Sequence, residues 1–255
     1  MTKPIARTAG FVLVAALVAA PMSAQSPQQL ADDATRYMAM GDSLAAGFKA
    51  QPATQGYAFL LYQTGVFDRM PHTLFNNIGV VGATSEDVLR HEVPLALIPA
   101  ARGGFQPHYI TLSVGGNDIA ALRALAFSNP PPDVLEKAVD DALLAYGQNL
   151  AGILGQLASQ LPNVKIFVAN QYSVPEIEAL FPAGAGVVEL FNAVTAAAVA
   201  GVPNAYLVDV YEAFLGRNGL LLIERRGASA LEVHLTNAGH RVMADAFADV
   251  IAANK

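Results

Sequence analysis

Short apolar segments alternate with longer amphipathic segments along most of the chain. The short segments are apolar throughout, as in Ile166-Phe167-Val168-Ala169, which is typical of strands buried on both faces. Strands are predicted at residues 37–40, 73–77, 109–114, 164–169 and 205–210. Helices are predicted at residues 57–67, 85–100, 134–160, 187–200 and 237–253. Strands that alternate with helices form βαβ units, so the pattern predicts an α/β fold whose parallel sheet is covered on both faces.

The last predicted helix has the clearest amphipathic pattern. Thr236 precedes it and is predicted to be its N-cap. One apolar stripe runs along the helix at the spacing of helical turns; it consists of Val242, Met243, Ala246, Phe247, Val250 and Ile251.

The first 24 residues have the layout of a secretory signal peptide. Lys3 and Arg7 precede the apolar run 11–20, and a segment with small residues ends at Ala24. The run is shorter than the roughly 20 residues of a membrane span, although an uncleaved anchor remains an alternative. We therefore expect export to the periplasm or the medium. With no obvious linker in the remainder, we expect one domain over residues 25–255.

Composition excludes several classes of function. Hydrophobic residues make up 53% of the chain and charged residues 14%, which indicates a compact globular protein. The net charge of −6 gives no support for nucleic-acid binding. The absence of cysteine excludes thiolate nucleophiles and zinc–thiolate sites. We expect neither a metal nor an organic cofactor, and the sequence does not indicate an oligomeric state.

Polar groups follow three predicted strands at the point where each strand ends. The first strand leads to Gly41-Asp42-Ser43, the second to the run 76–84, and the third to Gly115-Gly116-Asn117-Asp118. In an open parallel sheet these ends lie along one edge, where ligands bind. A predicted loop after the fifth strand contains His234, just before the last helix, and can bring an imidazole to the same edge.

Each polar residue has a chemical interpretation and a structural alternative. Ser43 can attack a carbonyl carbon if His234 removes its proton, or it can simply cap a helix predicted to follow it. Gly82 and Asn117 can donate N–H groups to an oxyanion. Alternatively, Gly82 is a plain turn glycine and Asn117 forms an Asx turn or helix cap. Asp118 and His240 are expected to be structural.

Four segments, in this order, resemble the SGNH or GDSL hydrolases: Gly41-Asp42-Ser43-Leu44, the run 77–84, Gly115-Gly116-Asn117-Asp118 and the run 234–240. The resemblance implies a flavodoxin-like three-layer sandwich with a five-stranded parallel sheet in the order 2-1-3-4-5. It also implies a serine esterase with Ser43 as nucleophile and His234 as base. The oxyanion donors would be the N–H groups of Ser43 and Gly82 and the side chain of Asn117.

The sequence departs from the family at the third member of the catalytic triad. The family's acid lies three residues before the histidine, and that position here is Leu231. Glu232 is the nearest substitute. A backbone carbonyl that orients the ring, leaving a Ser–His dyad, is the alternative.

The expected reaction is hydrolysis of carboxylic esters through an acyl-enzyme on Ser43, with short- to medium-chain esters or lipids as substrates. Apolar segments at residues 122–127 and 220–223 are candidates for an acyl-binding wall, or equally for sheet-covering core. A carbohydrate acetyl esterase of the same fold and an inactive acyl- or glycan-binding module are the alternatives. A metallophosphoesterase is disfavoured, because the chain has five histidines and no His-x-His pair.

Overall fold

A five-stranded parallel sheet forms the centre of the protein. The computed structural model describes residues 34–67, 73–180, 184–226 and 230–255. The strand order is β2-β1-β3-β4-β5, which confirms the expected topology. The strands are β1 (Thr35–Gly41), β2 (Thr73–Asn77), β3 (Tyr109–Ser113), β4 (Lys165–Ala169) and β5 (Ala205–Val208). The predicted signal peptide, residues 1–24, lies outside the described residues, and a single domain over 25–255 stays a prediction.

Helices cover both faces of this sheet, as expected from the βαβ pattern. They are α1 (Tyr57–Thr64), α2 (Ser85–Asp87), α3 (Val93–Ala101), α4 (Gly116–Phe127), α5 (Pro132–Gln160), α6 (Pro175–Leu180), α7 (Gly184–Ala200), α8 (Val210–Phe214) and α9 (Asn237–Ala253). A π-helical turn, Val88–Glu92, joins α2 to α3. In the part of the chain that the structure describes, none of the helices has the length and apolarity needed to cross a membrane.

The N-terminus of α9 forms as the sequence predicts. The helix spans Asn237–Ala253, and the Thr236 hydroxyl accepts a hydrogen bond from the Gly239 N–H at 3.1 Å. Met243 and Phe247 of the predicted stripe are fully buried against the sheet. The spacing of the apolar residues was enough to predict this helix, because α9 packs against the sheet along its whole length.

Two elements correct the sequence-based expectations. The segment predicted as a loop before α9 is an antiparallel hairpin of β6 (Leu221–Arg226) and β7 (Ala230–Leu235). The loop was predicted because Arg225, Arg226, Gly227 and Ser229 follow one another closely in the sequence. The sequence patterns also did not predict a helix after Gly115, but α4 begins at Gly116. Gly115 has φ +121°, so this one glycine makes the turn and the helix starts directly after it.

The central strands bury side chains on both faces, which explains why they are apolar throughout. Alternate residues of a strand point to opposite sides of a sheet. Met38 and Met40 of β1 therefore pack with one cluster, which includes residues of α3, α5 and α7. Tyr37 and Ala39 pack with the other, which includes residues of α1 and α9. Each large side chain buried in this way contributes about 1.5–3 kcal/mol.

The end of β1 approaches β3 so closely that only glycine fits at Gly41. Its φ is +121°, and a Cβ there would overlap the Ser113 carbonyl. The next N–H, that of Asp42, donates to the same carbonyl at 2.8 Å. The close approach therefore fixes where the chain leaves the sheet.

We expect Gly41→Ala to destabilise the fold much more than Gly216→Ala. Gly216 has φ +69° with no atom within 4 Å of a built Cβ, so it isolates the cost of a left-handed backbone, about 1–2 kcal/mol. Gly41→Ala adds the overlap with Ser113, for a total of at least about 3 kcal/mol or failure to fold. Urea unfolding followed by circular dichroism measures both. Equal losses would contradict the close approach.

Candidate active site

Ser43 lies in a turn at the carboxyl end of β1 and is only 9% exposed. Its carbonyl accepts the Phe48 N–H at 2.9 Å, which closes the turn. The helix expected after Ser43 is wrong, because residues 43–49 form turns and Gly47 and Lys49 have left-handed φ values of +70° and +68°. This excludes the interpretation of Ser43 as a helix cap, and it also excludes support of Ser43 by a helix N-terminus.

The loop that follows β2 is attached directly to the end of β1. The Val80 N–H donates to the Gly41 carbonyl at 2.8 Å, and the Ala83 N–H donates to the Val80 carbonyl at 3.1 Å. Gly82, in this loop, is exposed and has φ +87°. No atom lies within 4 Å of the position that a Cβ of Gly82 would occupy. The backbone at Gly82 is therefore open to a ligand.

Asn117 lies in the first turn of α4 and contacts the Gly82 loop. Its side-chain amide donates to the Ala83 carbonyl at 2.8 Å. An amide has two N–H donors, and this bond uses one of them. The alternative role of Asn117 as a helix cap does not apply, because the N-cap of α4 is Gly115.

Asp118 ties α4 to α2, which agrees with its expected structural role. It accepts hydrogen bonds from the Ser85 N–H at 3.0 Å and from the Ser85 hydroxyl at 2.6 Å. Asn149 of α5 donates to the same hydroxyl at 3.0 Å. The backbone on both sides of the Asn117–Ala83 contact is thus held in place.

His234 lies on β7, half-buried, and its ring contacts the turn that contains Ser43. The contact is an edge-on packing against Phe48, with ring centroids 4.7 Å apart and planes at 69°. Sequence reasoning missed Phe48, because nothing in the sequence indicates which ring would meet an imidazole from a hairpin 186 positions later. The structure thus brings His234 and the Ser43 turn together through Phe48.

His240 has a structural environment, as expected. It is fully buried; its Nδ1 accepts the Tyr57 N–H at 3.3 Å, so its Nε2–H donates to the Phe48 carbonyl at 3.4 Å. Burial lowers the pKa of His240 to about 4, so the ring is neutral at physiological pH. A neutral ring that accepts at one nitrogen and donates at the other fixes the position of Phe48.

Leu231 and Glu232 lie on β7 with His234. In the hairpin register, Glu232 is opposite Glu224, Leu231 is opposite Arg225, and His234 is opposite Leu222. The three positions therefore belong to one extended segment rather than to the predicted loop.

Two buried carboxyl groups lie next to the turn that contains Ser43. Burial raises the pKa of Asp42 to about 7, with the Leu44 N–H lowering it and Asp118 raising it further. Glu92, in the π-helical turn, accepts the Gly41 N–H at 2.6 Å. Sequence reasoning missed Glu92, because it follows the polar residues Arg90 and His91 and no local pattern distinguishes it from them.

An apolar cavity of about 120 Å³ lies beside α4. Its lining includes Ile119, Leu122, Ala126, Val139 and Val188, together with Ser173 from the loop after β4. The first residue of α4, Gly116, lies between the Ser43 turn and that loop, since its built Cβ would be 3.6 Å from the Asp42 carboxylate and 3.5 Å from the Gln171 amide oxygen. The cavity is thus lined in part by α4, the helix that carries Asn117 and whose first residue lies near Asp42.

The fold is shared with several solved hydrolases. A lipase from a goat rumen metagenome is 17% identical with a TM-score of 0.64, and covers 85% of this chain and 97% of its own. Phospholipase A1 from Streptomyces albidoflavus is 18% identical with a TM-score of 0.63, and covers 87% and 100%. An acetylxylan esterase from Geobacillus stearothermophilus is 18% identical with a TM-score of 0.58, and covers 85% and 94%. Identities this low show a common fold alone.

Sequence comparison establishes the family. No curated protein matches the chain. A family model, that of the GDSL-like lipase/acylhydrolases, matches residues 39–242, which include Ser43, Gly82, Asn117 and His234. The chain therefore belongs to the GDSL-like lipase/acylhydrolase family.

Proposed function

We propose that this protein is an exported serine esterase that hydrolyses short- to medium-chain carboxylic esters. Ser43 is the nucleophile, His234 the general base, and the N–H groups of Ser43, Gly82 and Asn117 form the oxyanion hole. The observation that carries the proposal is the contact between the Asn117 amide and the Ala83 carbonyl, at 2.8 Å. It brings two proposed donors together, on a loop that is itself bonded to the end of β1.

The reaction is two successive acyl transfers. The Ser43 hydroxyl attacks the ester carbonyl carbon while His234 takes its proton, and the carbonyl oxygen becomes an oxyanion. Collapse of this intermediate breaks the ester C–O bond, and His234 gives its proton to the leaving alcohol. Water then attacks the acyl-Ser43 in the same way and releases the acid.

The oxyanion hole should provide much of the rate enhancement. Each preorganised N–H donor in such a site contributes about 10²–10³ in kcat, or roughly 3–4 kcal/mol. Gly82 suits this role because it is exposed and its Cβ side is empty. Asn117 suits it because one N–H of its amide holds the loop and the other is available to a substrate oxygen.

The test of the nucleophile is labelling by a fluorophosphonate. We expect stoichiometric modification of Ser43 and hydrolysis of p-nitrophenyl butyrate, with both lost in Ser43→Ala and retained in Ser128→Ala, an exposed serine after α4. EDTA should have no effect, because the mechanism uses no metal. Modification of a different serine, or activity that chelator removes, would overturn the mechanism. A protein that binds esters without reacting would be the inactive module.

Glu232 is the proposed partner of His234. Alternate residues of a strand share a face, so position 232 of β7 lies on the face of His234 and position 231 on the opposite face. A carboxylate partner holds the imidazole tautomer and stabilises the imidazolium that forms during attack. The strand geometry therefore supports Glu232 over the family's usual position.

We expect Glu232→Gln to lower kcat by about 10²-fold or more, since loss of the triad's charge costs up to about 10⁴. Asp245→Asn, which removes an exposed carboxylate of α9, is the control and should leave kcat unchanged. Leu231→Asp should not raise kcat, because position 231 lies on the other face. An unchanged rate in Glu232→Gln would instead indicate a Ser–His dyad oriented by a backbone carbonyl.

The cavity beside α4 supports an acyl chain as the group that the site selects. A cavity of about 150 Å³ holds benzene, so this one, at about 120 Å³, accommodates a short aliphatic chain. Lining residues such as Ile119 and Leu122 are aliphatic and belong to α4, the helix that carries Asn117. Hydrolysis of acetylated carbohydrates is the second candidate function, because one structural neighbour is an acetylxylan esterase.

We expect kcat/KM to rise from acetyl to butyryl or hexanoyl esters by up to about fourfold per CH₂, from about 0.8 kcal/mol for each buried methylene. Ala126→Phe, which fills the cavity, should abolish this rise while retaining acetyl hydrolysis. Ala121→Phe adds the same ring at an exposed position of α4 and serves as control. A steady fall from acetyl onward, with good activity on acetylated sugars, would favour the carbohydrate esterase.

A further inference from the structure

Glu92 is a buried carboxyl group to which the proposed mechanism gives no role. It is 1% exposed and ends the π-helical turn Val88–Glu92. Such turns are rare and frequently occur at functional sites. One carboxyl oxygen, Oε2, accepts the Gly41 N–H at 2.6 Å, and the other, Oε1, is buried without a hydrogen-bond partner among the described residues.

The bond to Gly41 lies where two parts of the proposed active site join. Gly41 donates its N–H to Glu92 and accepts the Val80 N–H at its carbonyl. Val80 leads to Gly82, and Gly41 leads to Ser43. Glu92 therefore holds the residue from which both the nucleophile turn and the oxyanion loop are positioned.

The surroundings of Glu92 favour its neutral form. Burial is the largest cause and raises the pKa of Glu92 to about 8, with the Gly41 N–H lowering it and the Asp42 carboxyl raising it further. Asp87 of α2 also raises it, and Tyr57 of α1 lies close enough for its own pKa to be raised in part by Glu92. The side chains of Arg90 and His91 are exposed, and Arg90 pairs with Glu86 at 2.7 Å.

We propose that Glu92 is a positioning residue that, as a neutral carboxylic acid, holds the nucleophile turn and the oxyanion loop in their active arrangement. Ionisation places a negative charge against the backbone that leads to Ser43 and beside Asp42. That charge opposes the developing oxyanion, so activity falls as Glu92 loses its proton. The inference rests on the proposed esterase function, because it concerns the same site.

Glu92→Gln separates this role from simple packing. Glutamine keeps an oxygen acceptor for the Gly41 N–H and has nearly the same shape, but it does not ionise. We expect kcat/KM near pH 7 to stay within about 3-fold of the unsubstituted protein. The unsubstituted protein should lose activity above about pH 8, whereas Glu92→Gln should retain it to higher pH. Glu92→Leu, which leaves the Gly41 N–H unpaired, should lower kcat at every pH.

Two controls make the pH profile specific. Glu86→Gln removes an exposed carboxylate of the same helical segment and should keep the unsubstituted profile. Ser43→Ala, measured at each pH, gives the spontaneous ester hydrolysis to subtract. A basic limb that persists in Glu92→Gln, or the absence of that limb in the unsubstituted protein, would overturn the proposal.

Stability gives an independent measurement of the ionisation. The folded pKa lies above the ordinary value of 4.5, so the folded state binds the proton more tightly and stability falls as pH rises from about 4.5 to about 8. Glu92→Gln should therefore gain stability relative to the unsubstituted protein as pH increases over this range, in urea unfolding. No gain would overturn the proposal even if no ester substrate is found. A gain in stability without hydrolysis of any ester would instead contradict the proposed esterase function.

Discussion

The arrangement of the proposed active site depends on the hydrogen bonds of a single residue, Gly41. Its N–H is bound by Glu92, its carbonyl by the Val80 N–H, and its backbone passes against Ser113 at a distance that permits only glycine. These contacts join β1, β3, the loop that contains Gly82 and the π-helical turn at one point. Because the bonds come from backbone or fully buried groups, the geometry around Ser43 is set by the fold rather than by mobile side chains.

The same region accumulates buried carboxyl groups, which has an energetic consequence. Burial raises the pKa values of Asp42, Glu92 and Asp118. Each group therefore holds its proton more tightly in the folded than in the unfolded chain, and the free energy of unfolding falls as pH rises through the interval between the two pKa values. The stability lost in this way is concentrated beside the proposed active site, where polar groups have to be buried to orient the backbone.

Sequence patterns predicted the parts of the fold that depend on regular burial. Both faces of the sheet are covered, so the strands are apolar throughout, and α9 is amphipathic along its length. The β6–β7 hairpin and α4 were missed because glycine and polar residues at their ends dominated the local signal. The polar residues at the strand ends could be grouped from the sequence, because the carboxyl ends of parallel strands lie at one edge of the sheet. Phe48 and Glu92 depend on contacts between distant segments, which no local pattern records.

Access to the proposed site follows from the distribution of exposed apolar groups. Ser43 is nearly buried, whereas Val80 and Val81, directly before Gly82, are 52% and 50% exposed. The exposed side chains of Val80 and Val81 therefore lie directly before one proposed oxyanion donor, Gly82. The apolar cavity is lined in part by α4, the helix that carries a second proposed donor, Asn117. An acyl chain gains free energy in proportion to the apolar area that it removes from water at either place. Under the proposed chemistry, this apolar surface favours acyl esters, while the hydrogen bonds of Gly41 hold the reacting groups in position.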